Sequence, residues 1–237
     1  MADMPKTDDA IAAALRGIST ATATTIMFKK GIRRVAIRGA APLGQGQGRV
    51  AGKAFTMRFV PAREDLSNPS AWSNPVSTRK AVEEVPAGAF VVIDAMGCHD
   101  SGVFGDILCA RLHVRGAVGA VTDGAMRDLA GIREAGLPVW AGGGSAPPAA
   151  SALTFVGWQE PVACGTVAVF PGEWILADDD GAIVIPAACL EDVLKAGAEQ
   201  EALEQWIVQQ VAEGHSLDGL YPPSEATLQR YRSETGQ

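Results

Sequence analysis

From residue 89 to residue 128 the chain reads Ala89-Phe-Val-Val-Ile-Asp-Ala-Met-Gly-Cys-His-Asp-Ser-Gly-Val-Phe-Gly-Asp-Ile-Leu-Cys-Ala-Arg-Leu-His-Val-Arg-Gly-Ala-Val-Gly-Ala-Val-Thr-Asp-Gly-Ala-Met-Arg-Asp128. Its first five residues form a short apolar run rich in β-branched side chains. Pro86 and Gly88 precede it and Asp94 and Gly97 follow, so it reads as a buried strand. A glycine-rich loop from Gly97 to Gly105 comes next. From Phe104 the apolar positions Phe104, Ile107, Leu108 and Leu112 recur at helical spacing, and Gly116 stops the helix. Ala117 to Thr122 is a second buried strand, ending at Asp123-Gly124. Strand, helix, strand implies a parallel pair with a crossover, and hence an α/β protein. Asp106 then falls in the first turn of the helix and Arg127-Asp128 just beyond the second strand, on the same edge of the sheet. Ligands of open α/β sheets bind at that edge.

The residue types suit a small anion and a divalent metal. First-turn amides near Ile107 and Leu108 are unpaired and lie at the positive end of the helix dipole, so they can hold a carboxylate. Asp128 offers a hard oxygen, and magnesium takes one or two protein carboxylates while keeping several waters. Arg127 is a planar, permanently charged donor for a carboxylate or a developing enolate oxygen. Asp106 is placed to hydrogen-bond a metal-bound water. Spacing alone also allows a second reading, in which Arg127-Asp128 is a surface pair and Asp128 caps a helix from Leu129 to Ala135.

The segment Gly105 to Asp128, with Leu137-Pro-Val-Trp-Ala141 after it, resembles the signature of the RraA-like family. Ser19-Thr-Ala-Thr22, Ala51-Gly-Lys-Ala-Phe-Thr-Met57 and the stretch Pro171 to Pro186 are similar to family segments too, so the resemblance runs from roughly residue 8 to residue 214. It implies a compact α/β/β sandwich, swivelling-domain-like, with mixed sheets, extra N-terminal helices and a C-terminal helical tail. The family includes class II pyruvate aldolases acting on 4-hydroxy-4-methyl-2-oxoglutarate and 4-carboxy-4-hydroxy-2-oxoadipate, which also decarboxylate oxaloacetate. It includes ribonuclease-activity regulators as well, which keep the fold and lack the complete aldolase triad.

Carried over residue by residue, Asp128 matches the direct metal ligand, Arg127 the residue that contacts the pyruvyl group, and Asp106 the one that orients metal-bound water. Gly105, Ile107 and Leu108 match substrate-binding positions, the last two through backbone amides. A glutamate from the C-terminal helix of a neighbouring subunit completes the aldolase site; Glu204 is the nearest match and Glu201 its rival. The resemblance therefore implies Mg2+ or Mn2+, a small anionic 2-oxo acid, and a homotrimer that can pair into a hexamer. The implied reaction leaves pyruvate enolate, shared by retro-aldol cleavage and oxaloacetate decarboxylation. A protein-binding regulator and a metal-dependent dehydratase on a sugar-acid-derived 2-oxo acid are the alternatives. The Trp158 region and the tail depart from the better-known aldolases, which bears on substrate and leaves the triad intact.

Composition bounds the rest. The 237 residues, 47% of them hydrophobic, suffice for one good-sized core, so a single domain over residues 1–237 is expected, with a tail from about residue 215. No apolar run reaches the length of a membrane span, and the opening residues lack a basic segment followed by an apolar one; a cytoplasmic protein without membrane contact is the expectation. The formal net charge of −7 argues against nucleic acid as a partner. Cys98, Cys109, Cys164 and Cys189 are spaced too widely for a zinc site or a disulfide framework. Cys98-His99-Asp100, His113 and His215 read as structural or pocket-lining.

Gly44 to Gly52 leads into a strand and not a helix, so it lacks the geometry of a dinucleotide fingerprint. Gly142-Gly-Gly-Ser145 reads as a turn or linker, and no Gly-x-Ser-x-Gly elbow points to a serine hydrolase. Asp9 is expected to cap a helix through Leu15, and Ser19 or Thr20 a second through Lys30. Arg33–Arg38 and Ala54–Val60 are expected as strands, with Phe55, Met57 and Phe59 on a core face. Residues 61–78 read as a loop able to cover the site, Arg63 within it being a candidate for a distal carboxylate. Asp178-Asp-Asp-Gly181 signals a hairpin whose aspartates are turn residues. A helix from Ala187 to Glu213, carrying Trp206, Ile207, Val208 and Val211, is expected to dock on another surface.

Overall fold

The computed structural model describes residues 5–68 and 73–236. Two helices open the chain, α1 (Asp8–Arg16) and α2 (Thr20–Lys29). Thr7, not Asp9, caps α1: its hydroxyl accepts from the Ala10 N–H, while Asp8 and Asp9 lie in the first turn, where the helix dipole favours acids. Ser19 caps α2 as expected.

A parallel βα winding follows: β1 (Ala41–Pro42), β2 (Val50–Pro61), α3 (Thr78–Glu84), β3 (Ala89–Asp94), α4 (Asp106–Val114), β4 (Gly119–Thr122), α5 (Leu129–Ala135) and β5 (Val139–Ala141). Strands β2 to β5 lie side by side in sequence order, every neighbouring pair parallel, as the crossover argument requires. The remainder is β6 (Leu153–Trp158), the hairpin β7 (Val162–Cys164) and β8 (Val167–Val169), the hairpin β9 (Trp174–Asp178) and β10 (Gly181–Ile185), then α6 (Ala187–Ala212) and α7 (Glu225–Thr235).

Strand β2 organises the whole sheet. One edge pairs with β3 from Lys53 to Arg58; the other pairs antiparallel with β9 over Val50–Lys53 and with β6 over Met57–Pro61. The sheet order β1-β5-β4-β3-β2-β9-β10 brings β10 beside β1, so the sheet curls into a nearly closed barrel.

Alternation along the strands distributes the core between layers. Phe55, Met57 and Phe59 of β2, with Val91 and Ile93 of β3, face α3, α4 and α5, where Val82, Leu112 and Ile132 meet them. Ala54, Phe90, Val92, Val121 and Trp140 point the other way, onto Val162, Val167 and the β9–β10 hairpin. That is the α/β/β layering the resemblance implies. A third cluster joins Leu15, Ile18 and Met27 of the N-terminal helices to Leu176, Ile185 and Val193.

Arg33–Arg38 forms no strand. It meets β10 through a single bridge at Ala36–Ile183, with the Ile37 N–H donating to Ala182 O at 2.9 Å. Val35 and Ile37 are buried while Arg34, Ala36 and Arg38 face outward, so the alternation in the sequence is real although the ladder is too short for a strand. The aspartates at 178–180 divide: Asp179 and Asp180 make the hairpin turn, but Asp178 is buried and its carboxylate accepts from the Thr20 N–H and hydroxyl, both at 2.8 Å, fixing the start of α2. At the far end of α6, Leu203, Trp206 and Ile207 bury against Leu220 and Tyr231. The tail thus folds back on its own helix, leaving Val208 and Leu217 exposed. No single helix among the described residues is long and apolar enough to cross a membrane.

Candidate functional site

The carboxyl edge of the parallel strands is stitched by backbone bonds into a platform. Val103 N–H donates to Ala125 O at 2.8 Å, Arg127 N–H to Phe104 O at 2.9 Å, Met126 N–H to Gly143 O at 2.9 Å and Ser145 N–H to Met126 O at 2.8 Å. The Gly142–Ser145 stretch is therefore a rung of this platform and not a linker. Beneath it are two buried carboxylates. Asp123 accepts from the N–H groups of Ala95, Gly97 and Gly165, and Asp94 from those of Met96 and Ala163, all at 2.9–3.0 Å. Burial pushes the Asp123 carboxyl up, and the three N–H donors pull against it.

Asp106, Arg127 and Asp128 converge on top of the platform. Asp106 opens α4 and lies so close to α5 that a β-carbon on Gly131 would sit 2.7 Å from its Oδ2. Asp128 lies against Gly105, where a β-carbon would sit 2.7 Å from Asp128 Oδ2 and 3.2 Å from Arg127 Cγ. A β-carbon at 105 would displace the Asp128 carboxylate, and one at 131 would press on Asp106. The three sequence-derived residues are thus neighbours, and Gly131 is the one the sequence reading missed. Its signal was a glycine inside a seven-residue helix, where glycine costs about 1 kcal/mol relative to alanine.

Asp128 carries a left-handed backbone (φ 54°, ψ 44°), and its side chain makes no capping bond to α5. It precedes the helix, as the alternative reading required, yet its carboxylate is not used as a cap. Its partner is Arg127, whose Nε donates to Asp128 Oδ2 at 3.1 Å. Asp128 and Arg127 side chains are 46% and 36% exposed, open to a ligand. The expectation for the first-turn amides is changed in one respect: the Ile107 N–H donates to Asp106 Oδ1 at 2.7 Å, which leaves Leu108 as the first-turn amide available to a bound carboxylate. Behind Asp106, Cys109 is fully buried, and burial with the aspartate's charge pushes its thiol up to about 12.

The donor set at this edge consists of carboxylate oxygens beside a guanidinium, which matches magnesium or manganese and not a thiolate- or imidazole-seeking ion. Among the described residues, no cluster of three or more metal-binding side chains occurs within the chain, so a metal here would keep several waters or take a ligand from elsewhere.

Glu201 and Glu204 both lie on α6, which packs on α1 and α2. Glu201 is engaged within its own chain, accepting from the Ser19 N–H (2.9 Å) and hydroxyl (2.7 Å) and the Thr22 hydroxyl (2.5 Å), with Arg49 at 3.0 Å. Burial alone would raise its carboxyl, but these donors and the Arg49 charge outweigh that and hold it at about 2. Among the described residues, Glu204 accepts from the Gln200 amide alone. Arg63 pairs with Asp65, and residues 62–68 run beside an apolar groove of about 500 Å3 lined by Phe59, Leu66, Leu153 and Phe155, which contains none of the three site residues. The part of the expected covering loop at 69–72 lies outside the described residues.

A parallel βα winding closed by antiparallel hairpins, with an Asp, Arg-Asp cluster on its carboxyl edge, defines an α/β protein of the RraA architecture. The chain belongs to the RraA-like family: the Aldolase/RraA family model matches residues 9–184. RraAS2 of Streptomyces coelicolor, described as an unusual member of the RNase ES inhibitor RraA protein family, superposes with a TM-score of 0.74 at 31% identity, covering 90% of this chain and 100% of that one. Protein DlpA of Legionella pneumophila is 30% identical over 75% of this chain and 28% of its own length. A Halalkalibacterium halodurans protein provisionally named a 4-hydroxy-4-methyl-2-oxoglutarate aldolase is 36% identical over 52% of this chain and 58% of its own. The chain thus spans less than two thirds of either of these two curated relatives.

Proposed function

We propose that the protein is a divalent-metal-dependent carbon–carbon lyase that cleaves a 4-hydroxy-2-oxo acid to pyruvate and a second oxo compound, and decarboxylates oxaloacetate. The observation that carries this reading is the convergence of Asp106, Arg127 and Asp128 beside Gly105 and Gly131, with the Asp128 carboxylate bonded to the adjacent Arg127 and unused as a cap of α5. The aldolase name of the Halalkalibacterium relative supports it.

Asp128 would hold Mg2+ or Mn2+ directly, with Asp106 and a Glu204 from a neighbouring copy reaching it through water. Glu201, its rival, is already held by Ser19, Thr22 and Arg49. Such an ion supplies a Lewis acid beside the 2-oxo acid. The chain's own groups do the rest. The Leu108 amide and the positive end of α4 bind the pyruvyl carboxylate. Arg127 donates to the oxygen on which enolate charge develops as the bond between C3 and C4 breaks. Asp106 holds the water that takes the C4 hydroxyl proton in retro-aldol cleavage; decarboxylation needs no such base. A trimer or hexamer would supply the neighbouring glutamate, and the exposed Val208 and Val211 on α6 suit such a contact.

The test is pyruvate release from oxaloacetate and from 4-hydroxy-4-methyl-2-oxoglutarate, with magnesium or manganese against a chelator. Metal-dependent release that disappears in Asp128→Ala is the expected result. Metal binding with neither activity would move the assignment to a dehydratase or another 2-oxo acid. The absence of both metal binding and turnover would favour a protein-binding regulator, the reading supported by similarity to the Streptomyces protein along its full length.

A further inference from the structure

Three arginines of an otherwise acidic protein line one groove, and among the described residues none of them forms an ion pair. Arg33, Arg34 and Arg38 line a groove of about 280 Å3 together with Ala36, Thr166 and Val167. Since Val35 and Ile37 point into the core, Arg34, Ala36 and Arg38 share the outward face, with the small Ala36 between the two arginines in sequence. The segment is not a loose tail: Ala36 bridges Ile183, and the Arg38 N–H donates to Gly165 O in the β7–β8 turn at 3.3 Å. That bond sets the turn, and with it Thr166, beside Arg38. Arg33 is held from the other side by stacking over the Phe28 ring at 5.4 Å.

Elsewhere Arg49, Arg63, Arg111, Arg115 and Arg127 each have a carboxylate partner. Among the described residues, none pairs with Arg33, Arg34 or Arg38, although the chain carries a net charge of −7. Like charges gathered in one concavity repel, and the repulsion is relieved by an anion with enough oxygens to meet several forks at once. A monocarboxylate can face one guanidinium bidentately; a phosphoryl group can face two and still accept from a hydroxyl.

We propose that this groove between residues 33–38 and the β7–β8 turn binds a small phosphoryl or pyrophosphoryl anion, held by Arg34, Arg38 and Thr166 with Arg33 at its rim. The site shares no residue with the Asp106–Arg127–Asp128 cluster and does not depend on the lyase reading.

Calorimetric titration with inorganic pyrophosphate, in the presence of a chelator so that no divalent ion bridges, tests it directly. Inorganic phosphate in a parallel titration reports whether one phosphoryl group suffices. Binding at one site per chain is expected, weakened about tenfold by Arg34→Gln and by Arg38→Gln, and unchanged by Arg111→Gln, whose guanidinium is paired with Glu83. Equal thermal midpoints without ligand would establish that the variants fold. No binding of either anion, equal weakening by Arg111→Gln, or binding that survives Arg38→Gln but is lost in Asp128→Ala would overturn the proposal.

Discussion

Two pairs of carboxylates lie on the same edge of one sheet and have opposite fates. Asp94 and Asp123, at the ends of β3 and β4, are buried and accept five backbone N–H bonds between them. Asp106 and Asp128, one loop further along each chain segment, are partly open, and what they accept is one adjacent amide and one adjacent guanidinium. A buried charge persists only when its lone pairs are filled, so the first pair is committed to holding loops. The second pair has capacity left over, which is what a ligand requires. Satisfaction, more than charge or proximity to the sheet edge, separates the structural acids from the candidate functional ones.

Four variants break or sharpen that contrast. Arg127→Ala removes the donor from the open pair and should lower turnover about a hundredfold with an unchanged thermal midpoint; unchanged turnover in a pyruvate assay would remove Arg127 from the chemistry. Asp123→Asn strikes the closed pair. An amide cannot accept at both of its ends, so at least one of Ala95, Gly97 and Gly165 loses its acceptor, and stability should fall by about 2 kcal/mol in urea unfolding. Asp106→Asn should reduce retro-aldol cleavage several times more than decarboxylation, because only the former needs a base at the C4 hydroxyl. Equal losses in paired assays would refute that division.

The smallest effect concerns Glu201. Its folded carboxyl sits at about 2 against an ordinary 4.5, so its contribution is present above about pH 4.5 and fades as pH falls toward 2. Glu201→Gln should flatten that acid limb by about 1 kcal/mol, visible as a smaller difference between urea midpoints at pH 6 and pH 3. An unaltered acid limb would show that the tie between α2 and α6 does not depend on the charge. Asp123 has the reverse sign: raised by burial, it stabilises most when protonated and loses that contribution as pH rises.

The parallel winding and the meeting of Asp106 with Arg127-Asp128 were legible because both follow from local periodicity and from one handedness rule. Phe55, Met57 and Phe59 were legible as a core face for the same reason, as strand alternation needs no knowledge of partners. What escaped depends on distant pairing. Whether Arg33–Arg38 becomes a strand is decided by how much of β10 it meets, and Asp178 looked like a turn residue because Thr20 lies far away in sequence. Glu201 and Glu204 are alike on paper; Ser19, Thr22 and Arg49 tell them apart only after folding. The amide at Ile107 was read as vacant because a side chain bonding back to the next residue leaves no mark in spacing.

The double edge of β2 also governs the order of events in biosynthesis. Its first neighbour, β3, emerges from the ribosome soon after it, whereas β6 and β9 follow only at residues 153–178. Until those segments emerge, a twelve-residue, largely apolar strand therefore presents an unsealed flank. Pairings so distant in sequence slow folding and leave nascent chains open to association. Chains halted before Leu153 should aggregate, and those extended through Ile185 should become soluble, a transition that pelleting of stalled products of graded length would locate.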